Sequence, residues 1–386
     1  MVNTARSSRL VASLVGDPLR AAGTFFSIVL VFIAATNIAE GGYTFERFVQ
    51  QFIFGLSQGS IYALIALGYT LVYGILFMIN FAHGEVFAAG AYAGFFFFDA
   101  FVGYEGANNL ITFLRDNTFI LLLLTMMFAA FASMLVAVAL ERVAYRPLRN
   151  APRLVPLITA IGASITLQEL YLRLFGASPI RFPDVELFVF PDLFPEATCV
   201  RGVCRDGIDL IGSSYNVSLL GLNLRVSPIS FFVFFFSLMI MYGLWVFIQQ
   251  TKAGRSMRAV AEDKNTASLM GVNVDRVIVL TFVLGATLAG IGGVLFALIP
   301  GGGFIEPRMG FLLGIKAFTA AVLGGIGNVP GAMFGGLFLG IIESVGPSML
   351  GLDNQLKDVV AFGVLVFVLI FRPTGIFGEV LSEKKV

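Results

Sequence analysis

Apolar residues in this chain come in runs near twenty, set apart by short polar breaks, at 21–39, 49–78, 85–103, 119–140, 154–175, 228–248, 277–299, 310–328, 329–349 and 357–372. A helix of that length crosses roughly 30 Å of hydrocarbon, so the pattern predicts about ten membrane spans packed as an all-α, polytopic transmembrane helical bundle. The second run is too long for one straight crossing, which predicts a strong tilt or a break near Gly68. The runs 310–328 and 329–349 meet at GGIGNVPG (Gly324 to Gly331), which leaves room only for a tight turn.

The polar breaks set the domain plan. A leader and additional span occupy 1–45, one membrane domain 46–377 and a short tail 378–386, with the longest polar stretch at 178–227 and a second at 249–276. Basic residues orient the bundle, because Lys and Arg favour the cytoplasmic side in short loops. Arg6, Arg9 and Arg20 precede the first run, Arg142, Arg146, Arg149 and Arg153 follow the fourth, and Lys252, Arg255, Arg258, Lys264 and Arg276 lie between the sixth and seventh. Arg372, Lys384 and Lys385 follow the last. Both termini and the stretch 249–276 are therefore expected in the cytoplasm, and 178–227 outside. The basic start before TFFSIVLVFIAA also fits a signal peptide, but its long polar leader reads better as a retained signal-anchor.

Composition agrees with the pattern. With 58% hydrophobic and 13% charged residues, the chain of 386 residues cannot be wrapped as a water-soluble globule. Lys and Arg number 25 against 24 Asp and Glu, a balance that excludes the basic excess on which nucleic-acid binding leans. The two cysteines, Cys199 and Cys204, both fall in the outer loop, where an oxidising compartment would favour a small disulfide ring; two free thiols are the other reading. A metal site is not expected, since the single histidine, His83, lies far away in the chain.

Small residues recur every fourth position at Gly285, Ala289 and Gly293, at Gly331 and Gly335, and at Gly336 and Gly340, a pattern that lets helices approach closely in lipid. GGIGNVPG is the best candidate for an unwound, path-lining stretch instead. Ionisable and polar groups at membrane depth are costly and mark functional candidates. Asn80, His83 and Glu85 sit in MINFAHGE, Lys316 opens GIKAFTAAVLGG and Glu343 lies in GIIESVG. The bland readings stand beside these: a hydrogen-bonded boundary histidine for His83, snorkelling for Lys316, and neutralisation of a buried cation for Glu343. Enzyme chemistry has little support, because GxxxxGK[ST] and HExxH are missing from the sequence and the single histidine has no arrayed nucleophile or metal set beside it.

Four long blocks carry a resemblance. GLSQGSIYALIALGYTLVYGILFMINFAHGEVFAAGAY (Gly55 to Tyr92), ERVAYRPLR (Glu141 to Arg149), GRSMRAVAEDKNTASLMGVNVDRVIVLTFVLGATLAGIGGVL (Gly254 to Leu295) and GIKAFTAAVLGGIGNVPGAMFGGLFLGIIES (Gly314 to Ser344) resemble the permease subunit of bacterial branched-chain amino-acid ABC importers. The extra first span and the long 178–227 loop depart from the usual pattern, without touching these blocks.

The resemblance implies a multi-pass protein of the bacterial inner membrane that carries no cofactor. Partners would be a second, related permease subunit, two cytoplasmic ATPase subunits that use the ATP, and an extracytoplasmic substrate-binding protein. It implies alternating access, with Tyr62, Asn80, His83, Glu85, Lys316, Thr319 and Asn328 as substrate-path residues. A zwitterionic amino acid is expected to meet helix ends and hydroxyls there rather than full counter-charges. Arg255, Arg258, Ala259, Glu262, Asp263 and Gly271 match the family's ATPase-coupling segment. The residues agree: Arg255, Arg258 and Glu262 give one charged helical face, Ala259, Leu269 and Met270 apolar contact, and Gly271 an end. An interfacial helix held near lipid is the plainer reading of the same stretch. A urea or short-chain amide permease is the alternative within the family, and an ion-coupled carrier, a channel or a membrane scaffold lies further off.

Overall fold

The computed structural model describes residues 32–33, 35–102, 114, 117–149, 151–152, 154–182, 188–189, 197–200, 203–206, 208–209, 215–219, 222–299 and 303–378. The leader, most of the expected first span at 21–39 and nearly all of the tail at 378–386 lie outside the described residues.

Eight described helices are long and apolar enough to cross a membrane, and a ninth apolar helix is shorter. In chain order α1 spans Phe45–Leu76, α2 His83–Val102, α3 Thr118–Leu140, α4 Leu154–Phe175, α5 Pro228–Gln250, α6 Lys252–Glu262 and α7 Lys264–Leu269. They are followed by α8 at Val274–Ala297, the shorter α9 at Met309–Gly324, α10 at Val329–Met349 and α11 at Lys357–Phe371. Among the described residues, strands occur only in the long loop. There 188–189 pairs with 208–209, 197–200 with 203–206 and 215–219 with 222–226, all antiparallel. Cys199 and Cys204 stand opposite each other in the second ladder.

Helix α1 is continuous over 32 residues, so of the two alternatives, a strong tilt or a break near Gly68, the break does not occur. Thr44 starts it by accepting from the amide of Arg47, and Phe77 ends it in the left-handed region at φ 55°. Every residue from Gly59 to Val72 is buried, the mark of a helix apolar all round and enclosed by others. Gly68 breaks nothing, because its lack of a Cβ is spent on packing: a Cβ there would run into the imidazole of His83.

Close packing of small residues builds the core around α1. Gly55, Gly59 and Ala63 on α1 face Gly336, Gly340 and Ser344 on α10, and a Cβ on Gly59 would lie 2.8 Å from the carbonyl oxygen of Leu337. Gly290 and Gly293 of α8 meet Gly90 and Ala91 of α2, and Gly84 of α2 meets Gly310 and Gly314 of α9. Such faces suit lipid, where van der Waals contact rather than water exclusion drives helix association. The outer helices are the opposite case: on α11 only Ala361 is buried, which leaves an apolar surface for lipid or a neighbouring subunit.

The GGIGNVPG stretch proves to be a compact turn and not an unwound path segment. Gly325 and Gly327 take φ of 99° and 94°, and Asn328 caps α10 by accepting from the amide of Gly331. The carbonyls of Leu323 and Gly324 accept from the amides of Ile376 and Phe377, so the chain end satisfies the groups that the turn releases.

Candidate functional site

A cavity of about 410 Å³ opens between α1, α8, α9 and the start of α11. Phe54, Phe296, Ile299, Phe304, Leu312 and Leu313 give it apolar walls, and Gln58, Tyr62, Glu306, Lys316, Lys357 and Asp358 supply its polar groups. Size and lining both suit a small, partly apolar solute.

Its charged side is a buried ion cluster. Lys316 is 3% exposed, donates to Glu343 Oε1 at 2.7 Å and lies 2.6 Å from Asp358 Oδ1. Lys357 Nζ approaches the same Glu343 oxygen at 3.7 Å. A buried ammonium is tolerated only with counter-charges beside it, so Lys316 is paired rather than snorkelling, and Glu343 neutralises it. Tyr62, fully enclosed, accepts at its hydroxyl from Gln58 Nε2 at 2.6 Å, and Lys316 Nζ stands 6.0 Å from its ring centre. Thr319 is buried three residues further along α9.

Asn80, His83 and Glu85 form a second buried group that does not line this cavity. The amide oxygen of Asn80 accepts from the hydroxyl of Tyr145 at 2.5 Å. His83 fills a notch left by Gly68 and Gly285, edge-on to Tyr69 at 5.0 Å, and its Nε2 has no hydrogen-bond partner. Glu85 Oε1 accepts from Ser164 Oγ at 3.1 Å and Gln168 Nε2 at 2.9 Å, while Oε2 has none. Asn328 stands apart from both groups: its oxygen caps α10, and its nitrogen donates to the carbonyl of Phe377 at 3.0 Å.

The segment between α5 and α8 is two helices, not one. Thr251 caps α6 at the amide of Gly254, and Asp263 ends it and caps α7 by accepting from the amides of Asn265 and Thr266. Met257, Val260 and Ala267 anchor the pair in the core, while Arg255, Arg258, Ala259 and Glu262 are exposed. Gly271 takes φ 82° and turns the chain back. Leu269 and Met270, just before that turn, are 88% and 80% exposed. They form an apolar tip that the sequence marks only as contact area. Arg258 has a task inside the chain as well, since its guanidinium donates to the side chain and carbonyl of Gln249.

The block Glu141 to Arg149, read in the sequence only for its resemblance and its positive charge, braces this segment. After α3 the chain makes a π turn at Glu141–Tyr145 and a 3-10 turn at Arg146–Leu148, which brings Arg149 between Glu141 and Asp275. Burial and the nearby Arg149 charge lower the pKa of Lys264, at the start of α7. Glu141 is wholly buried, so Arg149→Met should cost about 3–5 kcal/mol by stranding its carboxylate. Arg146 reaches Asp275 at 3.6 Å from an exposed position, and Arg146→Met should cost only about 0–1 kcal/mol. Melting of the two purified variants in detergent checks this; equal shifts would mean that Arg149 is not the brace.

The chain matches the family model described as branched-chain amino acid transport system / permease component over residues 51–369. It is 44% identical over 343 residues to the high-affinity branched-chain amino acid transport system permease protein BraD of Pseudomonas aeruginosa, covering 88% of this chain and 98% of that one. Identity to the LivH permease protein of the same kind of system in Salmonella typhimurium is 43% over 340 residues, with the same coverage. A partial match, 32% over 133 residues, covers 33% of this chain and 36% of the fructose import permease protein FrcC of Rhizobium meliloti. No solved structure matches the chain.

Proposed function

Because this chain belongs to the family of branched-chain amino acid transport system permease components, we propose that it carries branched-chain amino acids by alternating access driven through the segment 252–271. It is a multi-pass membrane permease of an ABC importer, acting with ATPase subunits and a binding protein and leaving ATP hydrolysis to the former. Within that frame the cytoplasmic ATPase subunits grip the 252–271 segment, and the binding protein docks at the opposite face, beside the 178–227 loop. Both termini then lie in the cytoplasm, and a second, related permease completes the pair.

One observation carries this reading. The exposed segment leads into α8 at Val274, and the other end of α8 supplies Phe296, with Ile299 just beyond, to the cavity wall. At about 1.5 Å per residue, α8 with its 24 residues spans roughly 36 Å, so a push at one end tilts a wall of the cavity at the other. Tyr62, Lys316 and Thr319 belong to the outer stage of the path, and Asn80, His83 and Glu85 to a deeper one. Asn328 serves the α9 to α10 turn.

Reconstitution in vesicles with ATPase subunits and binding protein tests the proposal. Leucine-loaded binding protein should raise ATP hydrolysis several-fold, roughly the scale of one kcal/mol in the barrier, and should drive leucine uptake that excess urea does not reduce. Uptake that persists without the ATPase subunits and collapses with an uncoupler would replace this reading with an ion-coupled carrier.

A further inference from the structure

We propose that the Lys316, Glu343 and Asp358 cluster is the point at which the permease binds the charged head of a free amino acid, with the ligand carboxylate on Lys316 and its ammonium on the two carboxylates. The inference rests on the transport reading above and adds to it the residues and the chemistry of recognition.

Three observations converge on the cluster. It borders the cavity directly, since Lys316, Lys357 and Asp358 are among the lining residues. Its two inner charges are already gathered and desolvated: Lys316 and Glu343 expose only 4% and 1% of their side chains, while Asp358, at 35%, lines the cavity. Glu343 also keeps a second buried oxygen, Oε2, that neither lysine engages, since both approach Oε1.

The charge balance favours exchange. Two ammonium groups, Lys316 and Lys357, stand against two carboxylates, so the cluster is neutral as a whole, and a zwitterion is neutral too. A bound amino acid can part Lys316 from Asp358 and offer each a new partner, so that no net charge is added to the interior. Within the cluster a lone cation or anion would leave an unpaired charge, the exposed Glu306 lying outside it on the cavity wall, and a neutral polar molecule such as urea would have to replace charge-assisted bonds with weaker ones. The apolar walls at Phe296, Leu312 and Leu313 then receive the branched side chain. Lys316, Glu343 and Asp358 also lie on α9, α10 and α11 respectively, so the exchange alters what ties three helices together. This differs from the expectation of helix ends and hydroxyls, because the structure brings full counter-charges into the cavity.

Two measurements on the reconstituted complex test the inference. With wild type and no binding protein, leucine should bind saturably, while 4-methylpentanoate, which lacks the ammonium, and 3-methylbutylamine, which lacks the carboxylate, should bind at least about tenfold more weakly. Analogues that bind as well as leucine, or no saturable leucine binding, would overturn it. With leucine-loaded binding protein, Lys316→Met should lower the leucine transported per ATP hydrolysed by about tenfold or more, as expected for one lost charged contact. The paired variant Lys316→Met with Glu343→Gln removes both buried charges, so it should recover folded yield but not transport per ATP. Recovery of transport would show that the cluster only holds helices together. Failure of the broader reading looks different: wild-type complex would then show no leucine uptake and no stimulated hydrolysis at all.

Discussion

Aspartate at both Leu269 and Met270 is expected to reduce ATP-driven leucine uptake by about a hundredfold or more, with folded yield unchanged. The two side chains are 88% and 80% exposed and contribute nothing to the core, so polar replacements cost little stability. Docked into a soluble partner, each would bury an apolar side chain worth about 1.5–3 kcal/mol, and a carboxylate in the same groove adds a desolvation cost. Their position is set rigidly from both sides, by the Asp263 cap at the start of α7 and the left-handed Gly271 after it. Co-purification of the ATPase subunits with the variant permease reads the loss directly. Arg255→Ala on the same segment should lower recovery only a few-fold, because an exposed rim charge is worth about 0–1 kcal/mol. If the double variant retained its ATPase subunits and its uptake, the tip would not be the contact.

Leucine at Gly59 should sharply lower the yield of folded permease. A Cβ at that position would lie 2.8 Å from the carbonyl oxygen of Leu337 and 2.9 Å from that of Gly336, and backbone cannot swing aside as a side chain can. Relief requires α10 to move off α1, which gives up the packing that enclosed α1 along its middle; overpacking costs about 1–3 kcal/mol where side chains can shift and more where backbone must, a large share of a folding margin of about 5–15 kcal/mol. Yield of monodisperse protein after detergent extraction measures the effect. Gly243→Leu is the control, since a Cβ on Gly243 of α5 meets nothing within 4 Å. Equal yields from the two variants would mean that α1 and α10 are not held as closely as described.

Much of the bundle is legible along the chain. Nine of the ten apolar runs match described helices, because lipid demands an unbroken hydrogen-bonded helix wherever the chain crosses, and length with apolarity reports that demand directly. The long run at 49–78 is where the pattern was ambiguous. A glycine in mid-helix reads equally as a break or as a contact, and only the imidazole of His83 against Gly68 identifies it as a contact. Glycine spacing likewise marked Gly336 and Gly340 as a packing face, without naming Gly55 and Gly59 as its partners.

The candidate site was legible only in part. Tyr62 and Lys316, both path candidates, do line the cavity, whereas Asn328 from the same set caps a helix. Asp358 escaped notice because it sits at the start of a run, where a carboxylate looks like an ordinary helix-end charge. Arg149 was counted only as a charge that orients the bundle, since its partners Glu141 and Asp275 lie 8 and 126 residues away.

The sequence by itself determined that this is a polytopic helical membrane protein, roughly where its spans run, which stretch between spans is a charged segment ended by glycine, and which family it resembles. Each of these follows from local order: hydropathy over about twenty residues, capping over three or four, and contiguous motif blocks. Tertiary structure alone decided that Lys316 meets Glu343 and Asp358, that α1 is the enclosed helix, and that cavity and exposed tip stand at opposite ends of α8. Those facts depend on which faces of separate helices meet, and a helix's own sequence marks an apolar or small-residue face without saying what will lie against it.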